Sequence, residues 1–330
     1  EYDLPTLRQM ARQTFRRTGA NLLSALHSTH LSAAKIDAMV TVENQELLED
    51  ALTRSPGLVL LPSHMGNWEL LSRINLKFPP GHKIGAFYRP LNNPILDEQL
   101  LAQRGADGTR LFSKRDSFHL VTGFIRDGGI VGILADQRVG GSGERVRFFG
   151  RLTRASPLPS LIARRSKCQV LAMSVITVEP GKWKIRYHAL DGPISTENCM
   201  KALEKAMKAS PLDVFWLQER WKLYIKDRWP LTDWLGPDAL GEGTPHRALL
   251  WLPGTPPEWK VPENWTHPDV PYEIIPSDAK LPDSLQKFIA ETDRAKPLPI
   301  DFILTCNASK ALVKAAKREG IPLISLKPQP

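Results

Sequence analysis

At 330 residues, 42% hydrophobic and 24% charged, the chain has ample apolar content for a packed core. Its length suits one large domain with a smaller companion, or two domains. Three widely spaced cysteines (Cys168, Cys199, Cys306) fit neither a disulfide framework nor a zinc site, which points to a reducing compartment.

The formal charge of +9 and pI near 9.5 favour an anionic partner: nucleic acid, an acidic carrier protein or a membrane with anionic headgroups. No run of eighteen or more apolar residues occurs, so no transmembrane helix is expected within the chain. It opens at Glu1-Tyr2-Asp3 without an initiator Met, and a preceding segment, with any membrane anchor, is expected to be missing.

Residues 6–28 read as a helix, with Leu7, Met10, Ala11, Phe15, Leu22, Leu23 and Leu26 at helical spacing and Arg8, Arg12, Arg16 and Arg17 on other faces. It packs on the domain as an ordinary amphipathic helix or lies on a membrane surface. Strands and helices then alternate. Strands are expected at 58–61, 83–87, 130–135, 170–177 and 182–188. Helices are expected at 67–75, 95–104, 117–126, 157–165 and 197–209, the last capped by Ser195 or Thr196. The pattern argues an α/β fold: a mainly parallel central sheet flanked by helices. Residues 231–246, dense in Gly, Pro and Asp, read as a linker closing a 1–230 domain. Beyond it, 247–330 reads as a small Rossmann-like α/β unit, truncated after its last strand.

The stretch Leu58-Val-Leu-Leu-Pro-Ser-His64-Met-Gly-Asn67-Trp-Glu69 carries the chemistry. In open α/β sheets functional groups collect past the carboxyl ends of strands, and His64 stands there. A turn into a helix would swing Glu69 back to accept a hydrogen bond from one imidazole nitrogen, leaving the other as a general base. A lone His with a Glu five positions on is weak evidence by itself. No metal set forms, because His82 and His119 show no ligand spacing. Ser63 lacks the surroundings of a nucleophile elbow.

Four blocks strengthen the signal: "GLVLLPSHMGNWE", "FYRPLNNPILD", "GGIVGILADQRVGGSGERVRFFGR" and "FWLQERWK". In order and content they resemble the bacterial lipid A late acyltransferases (the lauroyl/myristoyl acyltransferase family), over roughly residues 1–230. The resemblance implies a glycerolipid acyltransferase-like fold and transfer of a fatty acyl group from an acyl carrier protein thioester to a hydroxyl of a lipid A precursor, with no cofactor. It makes His64 the base and Glu69 its dyad partner. Arg89 matches a basic position near the site. Asp136 and Gln137 match a D-Q pair, with Asp136 expected to orient an arginine or the substrate. Asn67 belongs to the same substrate-binding set, as does Arg104 on a looser alignment.

The closing block departs from some members, with Gln218-Glu219 where those carry His-Arg, which bears on the acceptor. Gly140-Gly141-Ser142-Gly143 reads as a mobile loop, since it lacks the Lys and following helix of a phosphate-binding loop.

The implied partners are acyl carrier protein, a glycolipid acceptor and an anionic membrane, reached peripherally at the cytoplasmic face of the inner membrane. The basic clusters Arg145/Arg147/Arg151/Arg154 and Arg164/Arg165/Lys167 suit electrostatic steering as well as plain solvation. Two alternatives stay open: another glycolipid acceptor, and a fusion whose C-terminal unit belongs to a glycosyltransferase. Nucleic acid is disfavoured, because aromatics are not interleaved with the basic residues.

Overall fold

The computed structural model describes residues 3–113, 115–139, 143–149, 151–218, 220–221, 247–256, 258–266, 270–281, 284–293, 300–319 and 321–325. The chain divides into two compact units: residues 1–148 with 154–219, and residues 149–153 with 220–330. The expected linker, 231–246, lies outside the described residues.

The larger unit is built on a seven-stranded sheet. Its strands are β1 (Val40–Glu43), β2 (Leu58–Pro62), β3 (Ile84–Phe87), β4 (Arg110–Phe112), β5 (Ile130–Gly132), β8 (Gln169–Glu179) and β9 (Lys182–Ala189), in the order β1-β9-β8-β2-β5-β3-β4. Every pairing is parallel except β8 with β9, a hairpin turning on Gly181. Strand β2, LVLLP, is buried at all five positions. That is why it reads as a continuous apolar run and not as an alternation: both of its faces are covered.

Helices α1 (Leu4–Ser28), α2 (Ala33–Ala38), α3 (Gln45–Arg54), α4 (Pro94–Gly105), α5 (Phe118–Arg126), α6 (Leu158–Ser166) and α7 (Thr196–Lys208) complete the unit. Their starts follow from the sequence. Asn93 accepts from the amides of Ile95 and Leu96 ahead of α4, Ser117 caps α5, and Ser195 caps α7 through the Asn198 amide.

Three features differ from expectation. The helix expected over 67–75 is two short 3₁₀ turns, Trp68–Ser72 and Asn75–Lys77. The segment leaves β2 through Gly66, and the Pro79-Pro80 pair follows within a few residues, so too little chain remains for a settled α-helix. Elements β1, α2, α3 and β4 were not anticipated. Nor was the two-stranded ribbon of β6 (Glu144–Phe148) and β7 (Arg151–Ala155), which follows the glycine-rich turn read as a mobile loop. Of the glycine-rich turn expected there, residues 140–142 lie outside the described set.

The smaller unit holds a four-stranded parallel sheet in the order β11-β10-β12-β13, made of β10 (Ala248–Trp251), β11 (Tyr272–Ile275), β12 (Phe302–Thr305) and β13 (Leu323–Ser325). Helices α8 (Leu285–Asp293) and α9 (Lys310–Glu319) belong to it. Alternate residues feed two separate cores: Ala248, Leu250, Phe302 and Leu304 on one face, Leu249, Trp251 and Ile303 on the other. This is the Rossmann-like arrangement expected from the runs ALLW and FILT.

Candidate active site

His64 lies just past the carboxyl end of β2, and Asp136 past the end of the neighbouring parallel strand β5. The register pairs Leu60 with Gly132, and each site residue lies four positions beyond its member of that pair. The two chains therefore leave the sheet in step and bring imidazole and carboxylate together. His64 Nδ1 lies 2.7 Å from Asp136 Oδ1, and the His64 backbone N–H donates to Asp136 Oδ2 at 3.1 Å. Asp136 is 1% exposed. With Nδ1–H donated to the carboxylate, Nε2 carries the free lone pair, and the Gln137 amide Nε2 faces it at 3.3 Å.

The loop behind the histidine is held rigidly. The Phe215 N–H donates to the His64 carbonyl (2.8 Å), the Gly66 N–H to the Asp213 carbonyl (2.9 Å), and Met65 bridges to Val214. Gly66 has φ +56, and a Cβ there would fall 2.3 Å from the Val175 carbonyl oxygen. The glycine of the His-Met-Gly-Asn-Trp-Glu run is thus dictated by backbone conformation and by close approach to β8.

Glu69 has other partners than the expected one. Arg104, in the last turn of α4, grips it at both oxygens (Nε to Oε2, 3.0 Å; Nη2 to Oε1, 2.8 Å), and Trp68 Nε1 donates to Oε1 at 3.1 Å. The 3₁₀ turn carries the Glu69 carboxylate to α4, and the carboxylate at Nδ1 of His64 is that of Asp136. Asp136 thus stands at Nδ1 of the imidazole where Glu69 was expected, and Arg104 enters the site region as the fork-shaped partner of Glu69.

Trp68, Glu69 and Arg104 border a cavity of about 70 Å³ beside the histidine loop. Leu60, Pro62, Ile84, Ala86, Ile130, Gly132, Leu134 and Met173 supply its sheet wall; the 3₁₀ turn, Phe78 and Arg104 close the other side. Trp68 lines the cavity and meets the His64 ring edge-on, with centroids 5.4 Å apart. The cavity is thus mainly apolar, with a Glu–Arg pair in its wall and the imidazole one aromatic ring away.

The remaining expected residues fall as follows. Asn67 is buried, and among the described residues neither polar atom of its side chain has a hydrogen-bond partner; the same holds for the Ser63 hydroxyl. Arg89 is exposed, two residues past the end of β3. Burial pushes the thiols of Cys168 and Cys199 up to about 12, which leaves both unsuited to nucleophilic attack at neutral pH. No group of three or more His, Cys, Asp or Glu able to hold a metal ion occurs among the described residues.

The comparison with curated proteins gave no match. The model of the bacterial lipid A biosynthesis acyltransferase family matches residues 6–223, about two thirds of the chain and all of the residues that build this site. The chain therefore belongs to the bacterial lipid A biosynthesis acyltransferase family and is an enzyme that transfers acyl groups.

Proposed function

We propose that the chain transfers a fatty acyl group from an acyl carrier protein thioester to a hydroxyl of a lipid A precursor, with His64 as general base and Asp136 as the residue that orients it. The observation that carries this reading is the His64 imidazole, tied at Nδ1 to a buried carboxylate and turned at Nε2 toward a neutral amide, beside an apolar cavity. The acceptor hydroxyl takes the place of the Gln137 amide at Nε2 and gives up its proton there. Its oxygen attacks the thioester carbonyl carbon, the C–S bond breaks, and the imidazolium returns the proton to the departing thiolate. Asp136 holds the productive tautomer throughout and stabilises the imidazolium. Protons and electrons balance without a covalent acyl-enzyme, which agrees with the buried, high-pKa thiols.

Asn67 is assigned a polar atom of the bound substrate, since a buried amide without a partner among the described residues is costly unless a ligand or water satisfies it. Arg89, exposed beyond β3, is assigned to a phosphate of acceptor or donor. The acyl chain occupies the apolar cavity, whose wall the Glu69–Arg104 pair stiffens. The net charge of +9 suits an acidic carrier protein and an anionic membrane face, and we place the enzyme at the cytoplasmic face of the inner membrane. No helix among the described residues is long and apolar enough to cross a membrane.

The test is direct. Purified protein given acyl carrier protein thioester and a lipid A precursor should yield an acylated precursor by mass spectrometry. The His64→Ala variant, checked for an unchanged circular dichroism spectrum, should not. Transfer by His64→Ala at the wild-type rate would refute the assignment.

A further inference from the structure

The sheet wall of the cavity is laid out in rows. One row runs Leu60, Gly132, Ala86, Leu111 across four hydrogen-bonded strands. One step toward the amino ends of the strands, Ile130 stands between Leu58 and Ile84. Residues two apart on a strand share a face, so the small pair Gly132 and Ala86 forms a notch bracketed by leucines and floored by isoleucines.

Gly132 has no local reason to be glycine. Its φ is not in the left-handed region, and a Cβ built on it meets only the Gly85 carbonyl oxygen, at an ordinary 3.8 Å. By contrast, a Cβ on Gly66, Gly85 or Gly129 would lie within 3 Å of another residue. Gly132 is the last residue of the central strand β5, and an unobstructed glycine facing a cavity marks where something else comes close.

We propose that the Gly132–Ala86 notch, with Ile130 and Ile84 as its floor, sets the length of hydrocarbon chain the enzyme accepts. This rests on the acyl-transfer reading and adds a gauge to it. A side chain on Gly132 fills the notch and admits only shorter chains; trimming the floor admits longer ones.

Two measurements test it. In the first, the protein, Gly132→Ala, Gly132→Val, Gly132→Leu and Ile130→Val each receive a mixture of acyl carrier protein thioesters of graded saturated chain length, with a lipid A precursor as acceptor. Product lengths should shorten stepwise through Ala, Val and Leu at position 132. The longest wild-type donor should lose about tenfold or more in kcat/KM, while a short donor keeps its rate. Ile130→Val should move the distribution the other way. A uniform loss across all lengths, or an unchanged distribution, would overturn the gauge.

The second measurement titrates free saturated fatty acids of graded length into each purified variant and follows the melting temperature. The length giving the largest rise should fall from wild type to Gly132→Leu, and an unmoved optimum counts against the gauge. If that optimum moves while the wild type transfers no acyl group to the precursor, the gauge stands and the functional reading fails.

Discussion

At the scale of single residues, Asp136 and Glu69 predict different losses. Asp136→Asn keeps the shape of the side chain but can present its amide N–H to His64, turning the imidazole to the wrong tautomer. It should lower kcat by about a hundred- to ten-thousand-fold with acceptor KM little changed, approaching His64→Ala, and the double variant should be no worse than the single ones. Glu69→Gln leaves His64 in place and frees Arg104 instead. It should act on KM and melting temperature, with a coupling to Arg104→Gln of about 0.5–3 kcal/mol in a double-mutant cycle. A larger kcat loss in Glu69→Gln than in Asp136→Asn would return the dyad to Glu69.

His64 was legible because it ends an apolar run, but its partner was not. Two carboxylates lay within reach of a plausible loop, and only the β2–β5 register, which no local pattern encodes, brings Asp136 level with it. His188 supplies a pH prediction. Burial, and then the neighbouring Arg186 and Lys205, lower its pKa from 6.5 to about 4, and its Nε2 contacts Ser174 Oγ at 2.7 Å. The folded state therefore keeps His188 neutral while the unfolded chain takes up a proton. Its contribution is full above pH 6.5 and is lost as pH falls toward 4, up to about 3 kcal/mol. Urea midpoints between those pH values should slope less in His188→Gln, and parallel slopes would refute the neutral assignment.

At the scale of elements, Gly132 at the end of β5 and Gly66 in the loop after β2 should respond oppositely to one methyl group. Gly132→Ala meets nothing closer than 3.8 Å and restricts the unfolded chain, so it should stabilise by about 0.4–1 kcal/mol in chemical denaturation. Gly66→Ala combines a positive φ with a 2.3 Å clash against backbone, and should cost more than that gain as well as displacing His64. Equal effects at both positions would mean that the loop behind His64 is not held as described.

The regular elements that sequence located share strong local signals. Strand β2 is an unbroken apolar run, and α5 and α7 carry a serine cap ahead of an apolar stripe. The misses have physical reasons too. Strand β4 is three residues long and is a strand only because β3 pairs with it. In β6 Arg145 and Arg147 alternate with the buried Val146 and Phe148, a strand pattern that the loop-forming glycines directly ahead of it obscure. At 67–75 a helical spacing was overruled by the glycine and prolines around it.

At the scale of the whole molecule, α1 inverts the usual amphipathic arrangement. Its inward face is polar: the Asn21 amide Nδ2 donates to Thr177 Oγ1, Asn21 Oδ1 accepts from Trp183 Nε1, and Arg17 pairs with the buried Asp213. Its outward face carries Leu7, Phe15, Leu22 and Leu26 within a sector of about 100°. Phe15, Leu23 and Leu26 are 65–70% exposed. Arg8, Arg12 and Arg16 are also exposed; Arg8 lies at the edge of that sector, Arg12 beyond it and Arg16 further round, near Leu23. Exposed apolar groups cost free energy in water, and cations beside them at this spacing suit the boundary between acyl chains and anionic headgroups.

Helix α1 is also fastened to the site. Its Arg17 holds Asp213, whose carbonyl accepts from Gly66, two residues from His64. A protein docked through α1 would therefore keep its reacting groups at the lipid surface from which the acceptor comes. The purified chain should sediment with phosphatidylglycerol-containing vesicles, and poorly with purely zwitterionic ones. Replacing Phe15, Leu23 and Leu26 by Ser should weaken sedimentation at every salt concentration, because it removes buried apolar area. Changing Arg8, Arg12 and Arg16 to Gln should cost about 1 kcal/mol per charge at low salt, with the difference fading as salt rises. Vesicle binding indifferent to both sets of changes would place the membrane contact elsewhere on the chain.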